Sequence, residues 1–146
     1  MKKALTGARI FSGKNFVDNK ALLFENENII QLVDETEIPK DFITQNLNGG
    51  ILSPGFIDLQ VNGGGGKLFN NSPDKESLNT IINAHQYFGT TSIMPTIISD
   101  SLNVLQDCSD TVSKEIKNNK SLLGIHIVVP FFNDKYRVVH QKQYIN

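Results

Sequence analysis

The sequence predicts an α/β protein, with a small β-rich region leading into the first strand–helix units of a parallel sheet. Three observations carry this. Between residue 4 and about residue 52, short apolar runs alternate with turn compositions. After Pro54 the rhythm changes to strand, helix, strand, helix, strand, the order of βα units. A closed (β/α) barrel of the common type has eight strands, and only about three are readable here. The expected architecture is therefore an incomplete βα barrel behind a small β region. The division is expected at 1–52 and 53–146.

The elements follow in order. Ala4 to Phe11 reads as a strand, followed by the turn composition Ser12-Gly13-Lys14-Asn15. Ala21 to Phe24 and Ile29 to Val33 flank Glu25-Asn26-Glu27-Asn28, as in a hairpin. Phe42 to Leu47 adds a strand before Asn48-Gly49-Gly50. Ile51 to Val61 reads as the first strand of the parallel sheet. Ser72-Pro73 supplies an N-cap and a proline at the first helical position. Leu78, Ile81, Ile82, His85 and Phe88 then recur at helical spacing, and Gly89 stops the helix. Thr91 to Ile98 is rich in β-branched residues and reads as a second strand, with Pro95 awkward in its middle. Ser99 or Asp100 is expected to cap a second helix whose inner face carries Leu102, Leu105, Val112 and Ile116. Leu122 to Val129 reads as the third strand, running into Pro130.

Composition excludes several functions. The 146 residues hold 14 basic and 15 acidic side chains, a net charge of −1, which favours neither nucleic acid nor an anionic membrane. Cys108 is the single cysteine, so no intrachain disulfide or cysteine zinc cluster is available. No run approaches the roughly 20 apolar residues of a membrane span. A soluble cytoplasmic protein is expected.

The stretch Ser53 to Gly66 is the focus of the chain. Asp58, Gln60 and Asn62 fall at spacing two, so on a strand they share one face, opposite Ile57, Leu59 and Val61. Amides and a carboxylate on one face, followed by four glycines, have the composition of a small-molecule site floor. Gly63 to Gly66 with Lys67 fails the phosphate-loop pattern, because Val61 and Leu68 hold positions that need Gly and Ser or Thr. The glycines read equally as a loop approaching a ligand or as a plain connection.

The three histidines show no metal-ligand spacing. His85 reads as a packed or half-buried helix residue and His126 as a satisfied core histidine within a strand. His140 falls in a polar loop. Asp58 is the only acidic residue in the three strands, and Gln60 and Asn62 are weak zinc ligands. Neither Ser53 nor Cys108 has the setting of a nucleophile.

Ala8-Arg9-Ile10-Phe11, Gly50 to Gly63 and Gly124-Ile125-His126-Ile127-Val128-Val129-Pro130 together resemble the N-terminal part of the N-acetylglucosamine-6-phosphate deacetylase family, within the amidohydrolase superfamily. The resemblance covers nearly the whole chain. It implies a divalent-metal hydrolase, with a metal such as zinc, built on a βα barrel beside a small β domain made from both chain ends. Residues 1–52 would then be half of that domain. It also implies N-acetylglucosamine 6-phosphate as substrate. Gln60 and Asn62 stand where many amidohydrolases carry His-x-His, an exchange found in a single-metal branch of the family.

The chain departs from the family pattern at Val128, which stands where the family has its glutamate metal ligand. Val129 and Val138 replace residues that are usually glycine. His140 and Val139 match a substrate-contacting histidine and its neighbour. The expectation is an inactive N-terminal piece that holds no metal and has no catalytic residue. Gln60 and Asn62 would be a vestigial site strand, and the uncovered sheet would favour self-association. Half of a split enzyme and a non-catalytic binding or regulatory module are the alternatives.

Overall fold

The computed structural model describes residues 1–128, which are mixed α and β. The chain divides into two compact units, Met1–Pro54 and a second that starts at Gly55.

The first unit holds seven strands: β1 (Lys2–Thr6), β2 (Arg9–Phe11), β3 (Phe16–Val17), β4 (Lys20–Glu25), β5 (Asn28–Asp34), β6 (Ile43–Asn46) and β7 (Ile51–Leu52). Four form a sheet in the order β5-β4-β1-β6, with only β1 and β6 parallel. The others form a sheet in the order β3-β2-β7. Alternation along β4 buries Ala21 and Leu23, which join Ala4 and Ile10 inside. The expected hairpin turn at Glu25–Asn28 is present, with Asn26 at φ +56.

Two expected strands are each divided in two. Ala4 to Phe11 breaks into β1 and β2 at Gly7, whose φ is +73. A Cβ there would lie 2.2 Å from Asn46 Oδ1, so only glycine fits. Ile51 to Val61 breaks at Ser53-Pro54-Gly55. Its first part, β7, pairs with β2 in the first unit. A strand that spans the boundary cannot serve two sheets.

Among the described residues, the second unit is built on three parallel strands. They are β8 (Phe56–Val61), β11 (Thr90–Ile97) and β12 (His126–Ile127), in the order β12-β11-β8. Between β8 and β11 come a short antiparallel pair, β9 (Gly63–Gly64) and β10 (Lys67–Leu68), and helix α1 (Lys75–Gln86). Helix α2 (Leu102–Glu115) follows β11. The core joins Val61, Ile93 and Ile97 from the strands to Leu78, Ile81 and Val112 from the helices. Each such side chain contributes roughly 1.5–3 kcal/mol through burial. Pro95 sits where the register against β8 shifts, between Ile93 and Pro95, the kind of irregularity at which a strand accommodates a residue with no N–H.

The helix ends depart from expectation. Asp74, not Ser72, caps α1, its Oδ1 accepting from the Ser77 N–H at 2.7 Å. That bond holds the Asp74 carboxyl below its ordinary pKa. Ser101, not Ser99 or Asp100, caps α2, its Oγ accepting from the Val104 N–H at 3.4 Å. Leu102 at the first turn is 82% exposed, and Phe88, beyond the end of α1, is 77% exposed. Within the described residues the third strand is His126–Ile127, with a bridge from Leu122 to Ile93 before it and Gly124 at φ +156 between the two; Val129, its expected end, lies outside the described residues.

On β8, Phe56, Ile57 and Leu59 are exposed. Among the described residues, β8 has one strand neighbour, β11, and no helix is long and apolar enough to cross a membrane.

Candidate functional site

The parallel register aligns the C-terminal ends of the three strands. Val61 pairs with Pro95, and Thr96 with His126. The Val128 N–H donates to the Ile97 carbonyl at 2.9 Å, extending the ladder one residue past β12. Gln60, Asn62, Ile98 and Val128 therefore lie along one edge of the sheet. In parallel α/β sheets ligands bind outside this edge, because the loops leaving it are free to carry site residues.

Of the expected site residues, Gln60 is exposed, while Asn62 and Val128 are half-buried. Asp58 is turned back on its own strand, its Oδ1 accepting from the Gln60 N–H at 3.0 Å. The Asn62 carbonyl accepts from the N–H of the buried Phe69 at 3.0 Å. His140 and Val139 lie outside the described residues, as do Val129 and Val138.

The glycine run is neither an open ligand loop nor a slack connection. Gly63 and Gly64 pair with Leu68 and Lys67, and Gly65 and Gly66 turn the chain at φ +60 and +80. Positive φ at both central residues is what a two-residue type I′ turn requires. The hairpin packs on α1. A Cβ at Gly65 would lie 2.8 Å from Thr80 Cγ2, and one at Gly64 would lie 3.1 Å from the His85 ring. The His85 Nε2 is 3.0 Å from the Gly63 carbonyl oxygen. His126, expected as a satisfied core histidine, is half-buried rather than in the core, with its Nδ1 3.0 Å from the Leu59 carbonyl oxygen.

Asn70 is a framework residue that the sequence reading missed. It is buried on the short 3-10 turn at Phe69–Asn71. Its amide ties that turn to Ile98 and to Asp100 Oδ2 at the end of β11. The available signal was a polar residue, Asn70, directly after the aromatic Phe69.

The described donors do not suit a divalent metal. Among the described residues, no group of three His, Cys, Asp or Glu side chains converges. The Val128 side chain has no lone pair, and Gln60 and Asn62 are neutral oxygen donors. Cys108 is buried against the core, which pushes its thiol up to about 12, and it offers no thiolate.

Comparison with known proteins accords with this framework. Residues 4–52 match the family model of the NagA composite domain. An N-acetylgalactosamine-6-phosphate deacetylase from Shewanella sp. (strain ANA-3) is 35% identical over 137 residues, 92% of this chain and 35% of that protein. An N-acetylglucosamine-6-phosphate deacetylase from Haemophilus influenzae is 30% identical over 146 residues, 99% of this chain and 38% of that protein. The crystal structure of N-acetylglucosamine-6-phosphate deacetylase from Pasteurella multocida superposes with a TM-score of 0.94 at 28% identity. It covers 100% of this chain and 39% of that one. The chain thus spans little more than a third of the length of these relatives.

Proposed function

We propose that this chain, related across its whole length to the N-terminal part of the N-acetylglucosamine-6-phosphate deacetylases, forms the first-strand framework of such an enzyme. In this reading β8, β11 and β12 are the opening strands of a βα barrel. Residues 1–52 are part of a small β domain and residues 53–146 the first barrel units. The reaction class is hydrolysis of the acetamide of an N-acetylated amino-sugar 6-phosphate. The relatives include both gluco and galacto deacetylases, so the substrate class is the N-acetylhexosamine 6-phosphates. Gln60 and Asn62 present neutral donors and acceptors to that edge, suited to a sugar's hydroxyl and acetamido groups. His140 and Val139 are proposed as substrate contacts on the resemblance alone. A cytoplasmic location suits a sugar phosphate.

These 146 residues are not expected to hydrolyse the amide by themselves. Val128 carries this conclusion. It continues the β12 ladder to the edge where the family's glutamate ligand is expected, and its side chain cannot bind a metal. A divalent metal in this family polarises the amide and activates water. Among the described residues no group of three His, Cys, Asp or Glu side chains converges to hold one.

A second reading, half of a split enzyme, is favoured by the exposed apolar residues and single strand neighbour of β8. Complementation decides between the two. The chain and its Val128→Glu variant are each mixed with the separately expressed remainder of the Pasteurella multocida relative, and acetate is measured. Release only with Val128→Glu supports the ligand argument. Release with the unchanged chain overturns it and supports the split enzyme.

A further inference from the structure

We infer that His85 and His126 are positioning residues, two imidazole N–H groups that clamp the backbone on either side of Gln60–Asn62 and fix the site end of β8. The link to sugar contact rests on the function proposed above, but the clamp itself does not.

A carbonyl oxygen only accepts, so each contacting ring nitrogen carries its hydrogen. His85 donates from Nε2 to Gly63, and His126 from Nδ1 to Leu59, both at 3.0 Å. The two clamped carbonyls bracket Gln60, Val61 and Asn62. The clamps come from different elements, α1 and β12, and His126 reaches past the intervening β11. Inside the bracket, Val61 is anchored in the core and opposite Pro95. The two amide side chains are thus held between three fixed backbone points.

The strand needs such support. Among the described residues β8 has β11 as its one strand neighbour, and the register between them is irregular at Pro95, next to this segment. A strand end paired on one side, with a broken ladder, opens readily.

The glycines fit the same account. Gly64 has no positive φ, so turn geometry does not demand it. The His85 ring favours it, since a Cβ would lie 3.1 Å from both Cδ2 and Nε2 and would press the ring away from its present place. His85 is itself set by α1, whose preceding turn buries Ile81 and Ile82.

Hydrogen exchange on the 146-residue chain tests the clamps without any substrate. His85→Ala and His126→Ala are each expected to speed exchange of amides in residues 60–68 by about tenfold, the effect of one lost hydrogen bond. The core of α1, Leu78–Ile82, keeps its protection. His85→Gln, which restores a donor near Nε2, and His126→Asn, which restores one near Nδ1, are expected to recover most of it. Gly64→Ala is expected to speed exchange in the native background and to have less effect with His85→Ala, because the clash is gone.

Unchanged exchange in both alanine variants overturns the inference. So does loss spread equally through α1, or a failure of Gln and Asn to rescue. Binding of N-acetylglucosamine 6-phosphate to the native chain is measured alongside. Full protection without binding supports the clamps and counts against the sugar reading. Binding with no change in the alanine variants' exchange does the reverse.

Discussion

Asn70 and Ile98 exchange two hydrogen bonds. The Asn70 Nδ2 donates to the Ile98 carbonyl at 3.0 Å, and the Ile98 N–H donates to Asn70 Oδ1 at 3.1 Å. A side-chain amide here does what a neighbouring strand does elsewhere. It joins the turn after the glycine hairpin to the end of β11, both at the candidate site edge. Asn70→Ala leaves the N–H and carbonyl of the half-buried Ile98 without this partner, and about 1–2 kcal/mol of stability is expected to go. Asn70→Asp should not rescue, because it loses the donor and sets a carboxylate beside Asp100. Urea unfolding of the three proteins measures this.

Much of the fold was legible because it rests on local pattern. An apolar run before a turn composition located β4 to within a residue or so, and helical spacing located Leu78, Ile81 and Ile82 of α1 and Leu105, Val112 and Ile116 at α2, though not Phe88 or Leu102. The caps were off by two residues at α1 and by one or two at α2. Ser72 and Asp74, or Ser99, Asp100 and Ser101, are all competent caps, and local sequence does not choose among them. The role of the four glycines was not legible. Thr80 and His85, more than a dozen residues along the chain, decide which of them tolerate a side chain. The same holds for His126, whose partner Leu59 lies 67 residues away.

The two turn glycines should differ. A Cβ at Gly66 meets nothing within 4 Å, so Gly66→Ala carries only the cost of positive φ, about 1–2 kcal/mol. Gly65→Ala adds a contact of 2.8 Å to Thr80 Cγ2 and should cost more. Thr80→Ser removes that methyl while keeping the hydroxyl that bonds the Glu76 carbonyl, so it should recover part of the Gly65→Ala loss. Thermal unfolding of the double variant checks this.

Cys108 should be inert in the native chain. It is buried, and desolvation followed by the nearby Asp100 and Asp107 charges raises its thiol to about 12. A disulfide reagent at pH 8 should label it only after unfolding. The folded state holds this proton more tightly than the unfolded state, whose thiol titrates near 9.0. Its contribution to stability is therefore complete below about pH 9 and declines as pH rises towards 12. Cys108→Ala should flatten that decline in alkaline unfolding curves.

The apolar residues of β8 should make the chain self-associate. Ile57 is 62% and Leu59 58% exposed on a strand with one described neighbour. Sedimentation is expected to show mass rising with concentration. Ile57→Lys with Leu59→Lys should lower it, and a native chain monomeric at all concentrations would count against the edge.

The most direct measurement is zinc content of the purified 146-residue chain together with acetate release from N-acetylglucosamine 6-phosphate. Neither retained zinc nor acetate above the blank is predicted, because Val128 supplies no ligand at the site edge. One zinc per chain with sustained turnover would contradict the account.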